Sequence, residues 1–242
     1  MHNVIYPTTN LTSVERITIE RGEGVYVYDS QGKRYLEGLA GLWCTALGYG
    51  NEELIEAASE QMGKLAYYHA FGGKTHPSIM KLGDKLSAML PVNNAKVFFG
   101  NSGSDANDTL LKILRYHANA TGNPKRKKVI TRERAYHGVT VASGGLTSLP
   151  ANLTHFAPPM EALGILRTDH PHYYKGRLVG ESEEAFVERI VCNLERLILD
   201  EGPDTIAAFL VEPITGASGV IVPPQGYYEG VHAVLQRYGV ML

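Results

Sequence analysis

Hydrophobic and polar positions change rhythm several times along this chain. Residues 1–15 show no period and read as an extended arm. From Ile17 the stretch ITIERGEGVYVYDSQGKRYLEG alternates, and the turn residues Asp29 to Gly32 between its two β-prone runs predict a hairpin. Gly38 to Gly50, glycine-rich and holding the only Trp, reads as a loop that is largely buried or lines a cleft. Behind Asn51, a capping residue, Leu54, Ile55, Ala58 and Met62 fall on one helical face. A second helix runs from Pro77 to Leu90 with Ile79, Met80, Leu82, Leu86 and Met89 inward, and Pro91 stops it. An apolar run ending at Gly100 reads as a strand, followed by a polar turn and a helix over Asp105 to Asn119 that ends at Thr121-Gly122-Asn123-Pro124. Val129-Ile130 is a short strand with Tyr136-His137-Gly138 in the loop after it, and Leu149 to Gly180 reads as a long irregular excursion. Glu183 to Leu199 is a clear amphipathic helix, Ile206 to Val211 a continuous apolar strand, and Gly226 to Tyr238 a last helix.

Strands alternating with helices predict an α/β fold with a mostly parallel sheet flanked by helices. In such sheets ligands gather beyond the carboxyl ends of the strands. Three features fall there: the turn Ser102-Gly103-Ser104, the Tyr136-His137 loop, and Glu212 after the 206–211 strand. Free N–H groups at a helix start favour an anion, Gly103 lets a ligand approach the main chain, and two serines add hydroxyl donors. An ordinary Ser/Asp helix cap has the same local pattern. Taken together, a phosphate seat, an aromatic face and a carboxylate at one sheet edge suit a planar, phosphorylated cofactor.

The 242 residues suffice for a sizeable core, and 23 Lys+Arg against 25 Asp+Glu with 44% hydrophobic residues describe a globular protein without a nucleic-acid signature. No apolar run approaches the ~18 residues of a membrane span, and no secretory pattern opens the chain, so the cytoplasm is the expected compartment. Cys44 and Cys192 stand in unrelated contexts, and the nine histidines show no metal-ligand spacing, so no metal is expected.

The segments GLAGLWCTALGYG, YYHAFGGKTHPS, VFFGNSGSDANDT, RAYHGVT and VEPITGASGVIVPPQGYY, in that order, resemble the N-terminal portion of a class III, pyridoxal-phosphate-dependent aminotransferase of the omega-amino-acid or amine:pyruvate branch. The resemblance implies a truncated fold-type-I transferase. Residues 1–65 would belong to the small domain, with its hairpin and helix, and residues 66–242 to a partial large cofactor-binding domain. It further implies that Ser102, Gly103 and Ser104 bind the cofactor phosphate, that Tyr136 stacks on the pyridine ring with His137 beside it, and that Glu212 lies under the cofactor. Trp43 matches a residue at the mouth of the substrate pocket, and Asp105 stands where many relatives carry glutamate.

Family members place the aspartate that protonates the pyridine nitrogen, and the lysine that bonds to the cofactor aldehyde, beyond the position of Leu242; no lysine present matches that context. The implied function is transfer of an amino group from an amine or omega-amino acid to a keto acid such as pyruvate by a homodimer, with these 242 residues inactive alone and without a catalytic residue of their own. Two alternatives stay open: a non-catalytic fragment that binds a phosphorylated ligand or a partner subunit, and a related pyridoxal phosphate chemistry.

Overall fold

The computed structural model describes residues 3–7, 9–10, 12 and 16–242. The expected arm over 1–15 therefore lies in part outside the described residues, and its described residues form no helix or strand. Two compact units divide the chain, Met1–Val97 and Phe98–Leu242.

In the first unit, β1 (Ile19–Glu23), β2 (Tyr26–Asp29) and β3 (Arg34–Leu36) form an antiparallel sheet in that order. The expected hairpin is the β2–β3 pair. Its turn is built by the Asp29 carboxylate, which accepts N–H bonds from Gln31 and Lys33 and the Tyr35 hydroxyl at 2.8 Å. The structure adds a third strand that the alternation alone did not separate, because Gly24 at φ +55° folds β1 back on β2.

A single turn, α1 (Ala40–Trp43), follows with left-handed backbone at Gly41 and Leu42. This segment was expected to be largely buried or to line a cleft; Leu42 and Trp43 are exposed, so it is not largely buried.

α2 (Glu52–Leu65) starts as expected, with Asn51 Oδ1 accepting the Leu54 N–H at 3.1 Å and two glutamates in the first turn. α3 (Pro77–Met89) starts on His76, with proline in its first turn. Neither helix buries a residue: the one-sided apolar face of α2, Ile55 included, is exposed, and so is much of the α3 face expected to point inward, Met80 included.

The second unit begins without the strand expected before Gly100. Phe98 and Phe99 are exposed and no strand pairs with them among the described residues, so their apolar character has no sheet to join. α4 (Gly103–Ala120), β4 (Lys128–Arg132), α5 (Val141–Leu146), α6 (Pro150–Leu153), α7 (Met160–Leu163), β5 (Ile165–Thr168), α8 (Tyr173–Gly176), α9 (Glu183–Glu201), a 3-10 turn at Pro203–Thr205, β6 (Ile206–Phe209) and α10 (Tyr227–Tyr238) follow.

The sheet is parallel in the order β5-β4-β6, with Arg132 opposite Thr168 and Ile130 opposite Phe209. Met241 forms a single parallel bridge with Ala208 of β6. β5 lies inside the stretch expected to be irregular. Its four residues are too few to show a period, but Gly164, left-handed at φ +71°, turns the chain so that Ile165 and Thr168 become buried.

Core side chains gather in two clusters. Phe186, Ile190, Leu194 and Ile198 of α9 and Val231, Val234 and Leu235 of α10 pack with Ile130, Ile206 and Phe209. Leu111 and Leu114 of α4 and Leu146 of α5 pack with Val129, Ile165, Ala207 and Ala208. Neighbouring strand residues thus serve different clusters, which is why the 206–211 run is apolar without alternation. Covered in this way, the sheet presents its carboxyl edge and the loops beyond it.

Candidate cofactor site

At the start of α4 the sequence supplies a cap and a turn. Ser102, in extended backbone, accepts the Asp105 N–H on its Oγ at 3.1 Å, and its carbonyl takes the first intrahelical bond, from Ala106 at 3.0 Å. The N–H groups of Gly103 and Ser104 precede that bond and have no intrahelical acceptor. Open space surrounds Gly103 on the side where a Cβ would stand. Asp105 folds back to accept the Asn101 N–H at 3.0 Å and so closes the turn from outside.

Beyond β4, the loop 136–140 lies against this helix start. Ser104 Oγ accepts the Val139 N–H at 3.0 Å, Asn107 Nδ2 donates to the His137 carbonyl at 2.6 Å, and Asp108 accepts from the Thr140 hydroxyl and the Ser143 N–H. Ser104, Asn107 and Asp108 are spaced i, i+3, i+4, one face of α4. Gly138 sits at φ +135°, and a methyl group there would lie 2.6 Å from Ser104 Oγ. Thr147, fully buried after α5, accepts the His137 and Gly138 N–H groups at 2.9 and 3.1 Å and donates to the Gly138 carbonyl at 2.8 Å.

Glu212 completes the arrangement. One carboxylate oxygen accepts the Tyr136 N–H at 3.1 Å and the other the Gly216 N–H at 3.1 Å, so the charge has hydrogen-bond partners. Its carbonyl is held by the buried guanidinium of Arg132 at 2.5 Å and by the Tyr228 hydroxyl at 2.9 Å, and Arg132 also donates to Thr215 Oγ1. Tyr136 remains 40% exposed. His137 is buried, its Nε2 has no partner, and burial, followed by the nearby Arg132 and Arg167 charges, pushes its pKa down to about 4. This imidazole is neutral at physiological pH.

The structure therefore brings the Ser102–Ser104 turn, the Tyr136–His137 loop and Glu212 into one bonded network. Trp43 belongs to the other unit, where it is exposed. Three members of the network, Asn107, Asp108 and Thr147, carried no signal in the sequence beyond their polar type, because they bond other parts of the chain, mostly main chain. Among the described residues no group of three or more His, Cys, Asp or Glu side chains is arranged to hold a metal ion, and no helix is long and apolar enough to cross a membrane.

A parallel sheet with helices around it and an anion-ready helix start at its carboxyl edge is the cofactor-binding architecture of pyridoxal-phosphate-dependent transferases of fold type I. A solved omega transaminase from Pseudomonas jessenii, in complex with PMP, superposes on it with a TM-score of 0.94 at 49% identity, covering 98% of this chain and 52% of that one. A family model, Aminotransferase class-III, matches residues 8–242, and the chain belongs to that family.

Among curated relatives, a probable gamma-aminobutyrate transaminase 2, mitochondrial, of Oryza sativa subsp. indica is 48% identical over 99% of this chain and 49% of its own length. The vanillin aminotransferase of Capsicum annuum is 46% identical over 99% of this chain and 52% of its own length. The chain thus spans about half the length of the relatives it matches. The expected cytoplasmic location does not stand: several of these gamma-aminobutyrate transaminases are named as mitochondrial, and the absence of a secretory pattern never bore on that distinction.

The family's cofactor is pyridoxal 5′-phosphate. The residues present fit it. Ser102 and Ser104 each use an oxygen lone pair to accept an N–H and keep their own hydrogen for an anion, beside two N–H groups without intrahelical acceptors and open space at Gly103. Tyr136 offers a partly exposed aromatic face whose backbone is fixed by Glu212.

Proposed function

We propose that this chain is the cofactor-holding portion of an aminotransferase that moves an amino group from an amine or omega-amino acid to a keto acid such as pyruvate. The observation that carries the reading is the bonded network in which Ser104 holds the loop of Tyr136 and Glu212 holds Tyr136 itself. Ser102, Gly103 and Ser104 would hold the phosphate, Tyr136 would lie against the pyridine ring, and Glu212 would fix the loop beneath it. His137 would back that loop as a buried neutral imidazole, and Trp43 would stand at the mouth of the substrate pocket. When bound, pyridoxal phosphate supplies the electron sink and carries the amino group. The chain's own residues bind and orient it.

The same reading assigns residues 1–65 to the small domain and 66–242 to the large one, and a homodimer to the working enzyme. No lysine takes part in the network, and this favours phosphate binding without turnover for a polypeptide limited to these 242 residues. Pyridoxamine 5′-phosphate, which has no aldehyde to react with surface lysines, is the suitable probe. Binding that inorganic phosphate displaces, and that Ser104→Ala weakens, supports the reading. A 242-residue sample that aminates pyruvate at an ordinary rate overturns the inactivity, and one that binds neither probe overturns the seat.

A further inference from the structure

The phosphate seat and the aromatic face come from separate parts of the sequence, and a cofactor gripped by both needs them held at a fixed distance. Four side chains set that distance. Ser104, Asn107 and Asp108 on one face of α4 bond the main chain of residues 137–143, and Thr147 bonds the same loop from its buried side.

The Thr147 hydroxyl is saturated: both lone pairs take N–H groups, from His137 and Gly138, and its single hydrogen is given to the Gly138 carbonyl, with Ser143 O next nearest at 3.2 Å. Its main chain is fixed in turn, because its N–H bonds Ser143 O and its carbonyl accepts from Arg167 Nη2 at 2.7 Å. Arg167 also donates to the carbonyls of Gly145 and Leu146, so one half-buried guanidinium anchors the end of α5, where Thr147 stands. Asn107 closes the opposite side through the His137 carbonyl at 2.6 Å. The Thr147 hydroxyl has nothing left to offer a cofactor, and the side-chain hydrogen bond of Asn107 goes to backbone.

We infer that Thr147 and Asn107 are positioning residues that weld the Tyr136 loop to the Ser102–Ser104 seat, so that ring and phosphate are held as one rigid grip. The inference rests on the cofactor reading above. It has a signature that general destabilisation lacks. A ligand using both halves of the grip loses affinity when the weld is cut, whereas a ligand using the seat alone does not.

The test compares pyridoxamine 5′-phosphate with inorganic phosphate by titration of the full 242-residue chain, with circular dichroism and melting temperature recorded for each variant. Thr147→Val, nearly isosteric but without the hydroxyl, is expected to weaken pyridoxamine phosphate by about tenfold and inorganic phosphate by about twofold or less, and Thr147→Ser to restore binding. Asn107→Ala, partly exposed and outside the core, should weaken pyridoxamine phosphate by about threefold with the same selectivity. It carries the comparison by itself if the valine variant does not fold. Equal losses for the two probes, or unchanged affinity for both, overturn the weld and leave the seat intact. Failure of the unsubstituted chain to bind either probe overturns the seat and the weld together.

Discussion

Gly138 is the residue whose identity the site tolerates least. Its φ of +135° lies where L side chains are strained, and a Cβ there would run into the hydroxyls of Ser143 and Ser104. Gly138→Ala should therefore cost about 1–3 kcal/mol of stability, read from the midpoint of urea unfolding. An unchanged midpoint would show that the loop has another resting place.

Its neighbour His137 gives the fold a pH dependence. Burial and two guanidinium charges hold the folded pKa at about 4, below the ordinary 6.5. Between those values the unfolded chain takes up a proton that the folded chain refuses. Stability is thus fully present above about pH 6.5 and falls as the pH drops toward 4, by up to about 3 kcal/mol from this group. Unfolding at pH 7 and 4.5 should show a drop that His137→Gln reduces; an identical drop in the variant would place the acid sensitivity elsewhere.

Among the elements, α10 and β6 depend on one long side chain from the 121–127 turn. Arg126 donates to the carbonyls of Tyr238 and Gly239 at the end of α10 and to Ile206 at the start of β6, at 3.2, 2.6 and 3.2 Å. A cation there also complements the negative end of the helix dipole. Arg126→Met keeps much of the apolar stem and removes the donors, and a loss of about 1–3 kcal/mol in thermal unfolding is expected.

Nothing in a run of basic residues distinguishes Arg126 from its solvated neighbours, and this illustrates what the sequence makes legible. Elements that carry their own period or their own cap, such as α9 with its apolar stripe and α2 behind Asn51, can be read directly. β5 cannot, because four residues flanked by a left-handed glycine become a strand only through the pairing that β4 offers. Phe98 and Phe99 show the converse: a strand-like run stays irregular where no described strand lies beside it. In the site, the Ser102–Ser104 turn, Tyr136 and Glu212, which the structure brings into one bonded network, could be singled out from the sequence. Thr147 and Asn107, whose partners are backbone atoms about ten and thirty residues away, could not.

At the scale of the whole molecule, the helices of the first unit carry apolar faces that are largely exposed. α2 carries a helical apolar stripe, yet Leu54, Ile55 and Met62 are each more than half exposed, and on α3 so are Met80 and Met89. Single exposed apolar residues are ordinary, but a periodic stripe on an amphipathic helix normally faces a core or a partner. The stripe is consistent with the homodimer proposed above. Sedimentation equilibrium of the 242-residue chain should then give a mass above that of one copy, falling toward it on dilution. Ile55→Lys with Met62→Lys, which places two charges in the stripe without touching a buried residue, should shift the equilibrium toward single copies by well over tenfold, because each buried unpaired charge costs several kcal/mol. A single-copy mass for the unsubstituted chain at all concentrations would remove self-association as the explanation of the stripe in this polypeptide. An associated state indifferent to both lysines would place the contact on another face.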